Sequence, residues 1–303
     1  MQRVVIALAL SGASAFVAPV PKAVQQVRMS DDAEAEAPEV EAAPAPAPPK
    51  PAAAAPTGAF SRQDLYDYAA SMPGFGTGPW DPLGLADQSW AFGERTPFSN
   101  EATIGFLRHA EIKHGRVAMA AFVGFIVQSN GICFPWNLTG DTPFSAIAAA
   151  GGPAAQWDAL PTLSKLQILG FIGLLELWGE GAKPLALVGE KHYMAGGRPG
   201  VFPSFKAAPL PHPVPLDLWD PFGFTKKMSD EKKAKSLVAE INNGRLAMIG
   251  TMGFMAASKG LIVPGMDKLG IAQYDGEIMA PFAAGDSALP FVSDMLGKVG
   301  TLY

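Results

Sequence analysis

The stretch AEIKHGRVAMAAFVGF, from Ala110, is nearly rewritten as AEINNGRLAMIGTMGF from Ala239. Superposing them pairs Glu111 with Glu240, His114 with Asn243, Gly115 with Gly244, Arg116 with Arg245, Met119 with Met248 and Gly124 with Gly253. On a helix, a Glu and the His or Asn three positions later lie about 60° apart, so both reach the same side. The Arg five positions after the Glu falls about 140° round, which makes a bridge within one helix awkward. Crossing the two copies removes the difficulty. Glu111 can then meet Arg245 while Glu240 meets Arg116, and two neutral pairs replace four lone charges that an apolar layer would penalise heavily. A carboxylate used in one ion pair still has a free lone pair, and His and Asn are neutral N or O donors. Such donors suit a single axial position on Mg²⁺, an oxygen-preferring ion whose four equatorial positions a tetrapyrrole can hold. Gly115, Gly244, Ala118, Ala247, Gly124 and Gly253 leave little side-chain volume, so helices or a flat ligand can approach the backbone closely.

Three apolar segments carry these residues. They run from about Glu101 to Gln128, from Leu163 to about Trp178, and from about Asp230 to Ser258. At about 1.5 Å per residue each crosses or nearly crosses a ~30 Å hydrocarbon layer. From Ser129 to Ser164 there is no Lys or Arg, whereas Lys183, Lys191, Arg198, Lys206, Lys226, Lys227, Lys232, Lys233 and Lys235 crowd the link between the second and third segments. This asymmetry predicts three spans with the N-terminus on the positive side. The repeat also extends upstream, because WDPLGL at Trp80 matches WDPFGF at Trp219. Two copies of one loop-plus-helix unit imply helices related by a pseudo-two-fold axis. Farther on, SALPFVSDMLGKV sets Leu289, Phe291, Val292, Met295, Leu296 and Val299 largely along one helical face, which predicts a short amphipathic helix that lies on a membrane surface or equally covers a soluble core. The expected fold class is an all-α membrane protein: three transmembrane helices, the first and third crossed, plus that surface helix.

Composition excludes several function classes. The 303 residues are 49% hydrophobic and 17% charged with a net charge of −5, and no basic patch is interleaved with aromatics, so no nucleic-acid partner is expected. Cys133 is the single cysteine, which rules out an intramolecular disulfide framework, a CxxC pair and a multi-cysteine metal site. No nucleophile and base constellation, phosphate loop or HExxH is present, so an enzyme is not expected.

ExxHGR in the first segment and ExxNGR in the third resemble the signature of the light-harvesting chlorophyll-binding family of photosynthetic antennae, in its chlorophyll a/c, fucoxanthin or peridinin branch. The likeness covers roughly Trp80 to Ser258. It implies that Glu111, His114, Glu240 and Asn243 are axial ligands of chlorophyll magnesium, while Arg116 and Arg245 lock the crossed helices and orient the Glu ligands. In LSKLQILGFIGLLELWGE, Gln167 and Glu176 resemble the family's polar ligands of the middle helix. Nine residues apart, they fall on opposite faces and would serve different pigments. The WDPLGL and WDPFGF loops resemble those that hold carotenoid ends. A departure is Ala257, which stands where many green-lineage members have a Gln ligand.

The implied cofactors are chlorophyll a, chlorophyll c and a carotenoid of fucoxanthin or peridinin type. The implied partners are a photosystem core, other antenna subunits and thylakoid lipid. The implied function is that of a peripheral antenna transferring excitation energy to a photosystem, with a photoprotective, energy-dissipating member of the same fold as the alternative. The N-terminus agrees with a plastid address. Arg3, the apolar run VVIALAL and the small residues before Phe16 read as a signal, and the acid-free stretch to Ser30 reads as a transit peptide. Residues 1–30 are therefore expected to be targeting sequence, 31–57 an Ala/Pro/Glu-rich disordered linker, and 58–303 the pigment-binding domain. In the thylakoid membrane the N-terminus would face the stroma.

Overall fold

Ser99 and Ser229 open the two long helices in the same way. Each side-chain hydroxyl accepts a hydrogen bond from an otherwise unpartnered amide of the first turn, Ala102 N and Lys232 N respectively. The helices they start, α2 (Asn100–Ser129) and α7 (Asp230–Ser258), carry the doubled motif. The computed structural model describes residues 61–71, 78–86, 99–207, 220, 222–278 and 280–299. The targeting and linker expectations and Trp219 fall outside these.

Before the long helices comes α1 (Arg62–Ser71), capped reciprocally by Ser61 and Asp64. After α2 the chain makes an antiparallel hairpin, β1 (Asn137–Thr139) with β2 (Thr142–Pro143), pairing Thr139 with Thr142. This hairpin departs from an all-helical fold. The short helices α3 (Phe144–Ala148) and α4 (Pro153–Asp158) lead into α5 (Thr162–Glu180), and α6 (Ala182–Leu187) follows directly. The middle helix is thus longer than the expected Leu163–Trp178. Its two extra residues at the C-terminal end, Gly179 and Glu180, are held by bonds to Glu180 from α2 and from the 190s loop. The last helix is α8 (Val292–Val299), where Val292 is buried while Phe291 stays half exposed.

The long helices α2 and α7 pack against each other along their crossing. A Cβ placed on Gly244 would lie 2.9 Å from the Cα of Gly115, and one on Gly115 would lie 3.1 Å from the Cα of Gly244. Only glycine permits that approach. Residues 111–118 and 240–247 repeat the same burial sequence. Ile112 and Ile241, Gly115 and Gly244, Ala118 and Ala247 are buried; His114 and Asn243, Val117 and Leu246 are exposed. Tyr68 of α1 joins Ala86, Ile104 and Ile241 in a small core beside this crossing.

Among the described residues no helix is long and apolar enough, by its hydropathy, to cross a membrane. The reason lies in the chemistry of these helices. Glu, Arg, Lys and His interrupt their apolar sequences, and hydropathy scores each charge singly whether or not it is paired.

Candidate functional site

The crossing brings the two motifs into reciprocal contact. Arg116 Nε donates to Glu240 Oε1 at 2.6 Å, and Arg245 Nε donates to Glu111 Oε1 at 2.6 Å. Arg116 also donates to the carbonyl of Gly200 at 2.7 Å. Residue i meeting j while j's counterpart meets i's counterpart is the pattern of contacts across a local two-fold axis. Each Glu of the motif thus meets the motif Arg of the other helix, as the 140° offset within one helix requires.

His114 and Asn243 occupy the same register and both are exposed. His114 Nδ1 lies 2.8 Å from the carbonyl oxygen of Ala110, one turn back. That carbonyl can only accept, so Nδ1 carries the proton and Nε2 keeps its lone pair on the exposed side. A cleft of about 560 Å³ opens there, lined by His114, Val117, Ala121, Met248 and Met252. A second of about 600 Å³ lies beside Glu111 and Arg245, lined also by Tyr68, Trp80 and Met248. An outward imidazole nitrogen over a broad apolar cleft is a donor set that could hold a flat magnesium macrocycle.

Glu111 has a second cationic partner that Glu240 lacks among the described residues. Its Oε1 pairs with Arg245, but its Oε2 accepts from Arg108 Nη1, so both oxygens are engaged. Arg108 stands one turn before Glu111 in the sequence, the i,i+3 spacing at which two side chains on a helix can pair.

The middle helix is joined to α2 by a polar cluster. Lys113 binds both Glu176 and Glu180, the latter at 2.5 Å. His109 Nδ1 accepts from Gly200 N at 3.0 Å, so its Nε2 donates to Glu180 Oε1 at 3.0 Å. Tyr193 stacks on His109 with ring centroids 3.9 Å apart and donates its hydroxyl to Glu180 at 2.7 Å. Burial, together with the Glu180 carboxylate it bonds, pushes the Tyr193 hydroxyl up to about 12. Glu176, a candidate ligand, is thus already paired, whereas Gln167 is exposed. The opposite end of α5 is fastened by a pair that sequence reasoning did not single out. Lys165, fully buried, donates to Asp286 at 2.6 Å, and Thr162 donates to the same carboxylate at 2.5 Å. Burial works to raise the Asp286 pKa, but the bonds from Lys165 and Thr162 outweigh it and hold the carboxyl below its ordinary value.

The tryptophan loops are explained by their aspartates. Asp81 accepts from the amides of Leu85 and Ala86, both at 2.9 Å; Asp220 accepts from those of Phe224 at 2.6 Å and Thr225 at 2.8 Å. Gly84 and Gly223, at equivalent places, take left-handed φ values of 63° and 71°. The same tight turn is built twice, leaving Trp80 of the first copy largely exposed.

Comparison with known proteins defines the class. The family model described as Chlorophyll A-B binding protein matches residues 67–259. The curated fucoxanthin-chlorophyll a-c binding protein of Trieres chinensis is 34% identical over 185 residues, covering 59% of this chain and 72% of that protein. The corresponding protein F of Phaeodactylum tricornutum is 33% identical over 186 residues, covering 60% and 74%, and protein C of the same organism is 31% identical over 204 residues, covering 67% and 83%. The chain belongs to the chlorophyll a/b-binding family. The relatives, all named chloroplastic, support its place in the chlorophyll a/c branch.

Proposed function

We propose that this protein is a peripheral light-harvesting antenna that holds chlorophyll a, chlorophyll c and a fucoxanthin-type or peridinin-type carotenoid and passes excitation energy to a photosystem. The observation that carries the reading is the doubled constellation: reciprocal Glu and Arg pairs that neutralise the crossing, with outward donors at the same register on both helices. His114 and Asn243, with Glu240, are the magnesium ligands best prepared by the fold; Gln167 is exposed enough to serve, and Glu111 and Glu176 compete with cationic partners. The bound pigments absorb and transfer the excitation, while the polypeptide fixes their spacing and orientation; its role is positional, not catalytic.

The same reading makes α2, α5 and α7 membrane spans of the thylakoid. At about 1.5 Å per residue they are about 45, 28 and 43 Å long. Their exposed apolar side chains, including Val123, Phe171, Leu174, Leu177 and Ile249, suit lipid or pigment contact. The charges that lower their hydropathy are largely held in ion pairs. With the Lys and Arg asymmetry of the connections, the N-terminus faces the stroma and the hairpin end the lumen. Residues 1–30 supply the plastid address and 31–57 a linker. Other antenna subunits, a photosystem core and thylakoid lipid are the partners. An energy-dissipating role gains no support from Asp286, a carboxylate locked by Lys165 and held below its ordinary range.

Extraction of the purified complex, followed by chromatography, tests the proposal. Chlorophyll a, chlorophyll c and a carotenoid in fixed ratio to polypeptide are expected. A colourless purified protein, or one carrying haem alone, would overturn it.

A further inference from the structure

We infer that Arg108 makes the two carboxylates of the repeat unequal magnesium donors: Glu240 holds its chlorophyll firmly, and Glu111 holds its own weakly. The inference rests on the pigment-binding reading above and goes beyond it by separating two positions that the sequence motif makes equivalent.

Glu240 uses Oε1 for Arg116 at 2.6 Å, and among the described residues no donor bonds its Oε2. That oxygen is left for a metal. Glu111 gives Oε1 to Arg245 and Oε2 to Arg108. Two guanidiniums draw on one carboxylate from both sides. Each occupies a lone pair and withdraws charge that a hard cation such as Mg²⁺ would otherwise attract. Whichever oxygen a chlorophyll approaches, it must share it with a guanidinium.

Arg108 is poorly placed to yield. Its side chain is mostly buried, and its guanidinium lies over the ring of Tyr68, 4.8 Å from the centroid. Tyr68 is 6% exposed, fixed in the core that α1 lays beside the crossing. The residue equivalent to Arg108, three before the Glu of α7, is Leu237, which packs against that same core without charge. Helix α1 therefore breaks the two-fold symmetry at this point. One side of the crossing receives a cation for its carboxylate and the other an aliphatic side chain.

The test exchanges these residues in the full chain, refolded with chlorophyll a and a carotenoid extract. Chlorophyll per polypeptide is followed through a detergent dilution series, together with visible circular dichroism. In the unaltered chain one chlorophyll should leave ahead of the rest. Arg108→Leu should retain that chlorophyll, slowing its departure by about tenfold, the scale on which partners of a metal ligand alter affinity. Leu237→Arg should create a second early-leaving chlorophyll. Loss curves for both variants that superpose on that of the unaltered chain would overturn the inference. Should Arg108→Leu not refold, Leu237→Arg decides alone, and an unchanged curve overturns the inference. An unaltered chain that retains no chlorophyll refutes the pigment-binding reading itself, and this inference with it.

Discussion

The crossed pair α2 and α7 and the middle helix α5 are fastened by opposite means. The pair meets backbone to backbone at Gly115 and Gly244, with reciprocal ion pairs on either side of the contact. The middle helix is held instead by polar clasps near its two ends: Glu176 and Glu180 against Lys113 and His109 at one, Lys165 against Asp286 at the other. Between the clasps, an added Cβ on Gly170 or Gly173 would meet nothing within contact distance among the described residues, and Phe171, Ile172 and Leu174 are exposed. A helix so mounted leaves lateral room between itself and the pair. That room suits flat pigments, which would supply the packing that side chains do not.

The largest expected effect is on the pair. Glu111→Gln removes a carboxylate that both Arg108 and Arg245 bind and should destabilise the protein by about 3–5 kcal/mol. Glu240→Gln affects only Arg116, which keeps the Gly200 carbonyl, so about 1.5–3 kcal/mol is expected. Thermal unfolding in detergent measures both, and equal losses would mean that the two bridges are equivalent after all. Replacing Glu111 and Arg245 together by Gln should recover part of the loss.

The clasp on the middle helix comes next. Asp286→Asn strands the buried Lys165 and should cost about 3 kcal/mol, whereas a paired Lys165→Met, Asp286→Leu exchange should be milder. Because the native Asp286 carboxyl sits below its ordinary value, its stabilisation is complete at neutral pH. It declines as pH falls below the ordinary carboxyl range and disappears below the depressed native value. The difference in unfolding midpoint between the natural chain and Asp286→Asn should accordingly shrink from about pH 7 to about pH 2. A constant difference would separate the effect from titration of this carboxylate.

Glycine substitutions give the smallest effects, and they should differ in sign. Gly244→Ala forces a Cβ to 2.9 Å from the Gly115 backbone and should destabilise by about 1–3 kcal/mol. Gly170→Ala in the middle helix meets nothing among the described residues and should stabilise the pigment-free chain by up to about 1 kcal/mol through helix propensity. Unfolding midpoints of the two variants that move together would contradict the contrast between the two regions.

The duplicated motif made the crossing legible before any coordinates, because an Arg placed 140° round its own helix from a Glu needs a partner elsewhere. The bounds of α7, Asp230–Ser258, coincide with those of the apolar segment in the sequence. What the sequence hid was tertiary pairing over long separations. Lys165 and Asp286 are unremarkable surface-type residues until α5 and the C-terminal segment are brought together, and Glu180 lay just beyond the expected end of its helix. Arg108 is different in kind. It was readable as a neighbour of Glu111, but its consequence depends on Tyr68 of α1 holding the guanidinium, which spacing alone does not reveal.

The most direct measurement counts pigments in His114→Leu. Refolded with chlorophylls and carotenoid, this variant should contain one chlorophyll fewer per polypeptide than the natural chain, with the crossing and its ion pairs intact. An unchanged chlorophyll count in a folded variant would contradict the assignment of the outward imidazole nitrogen as a magnesium ligand.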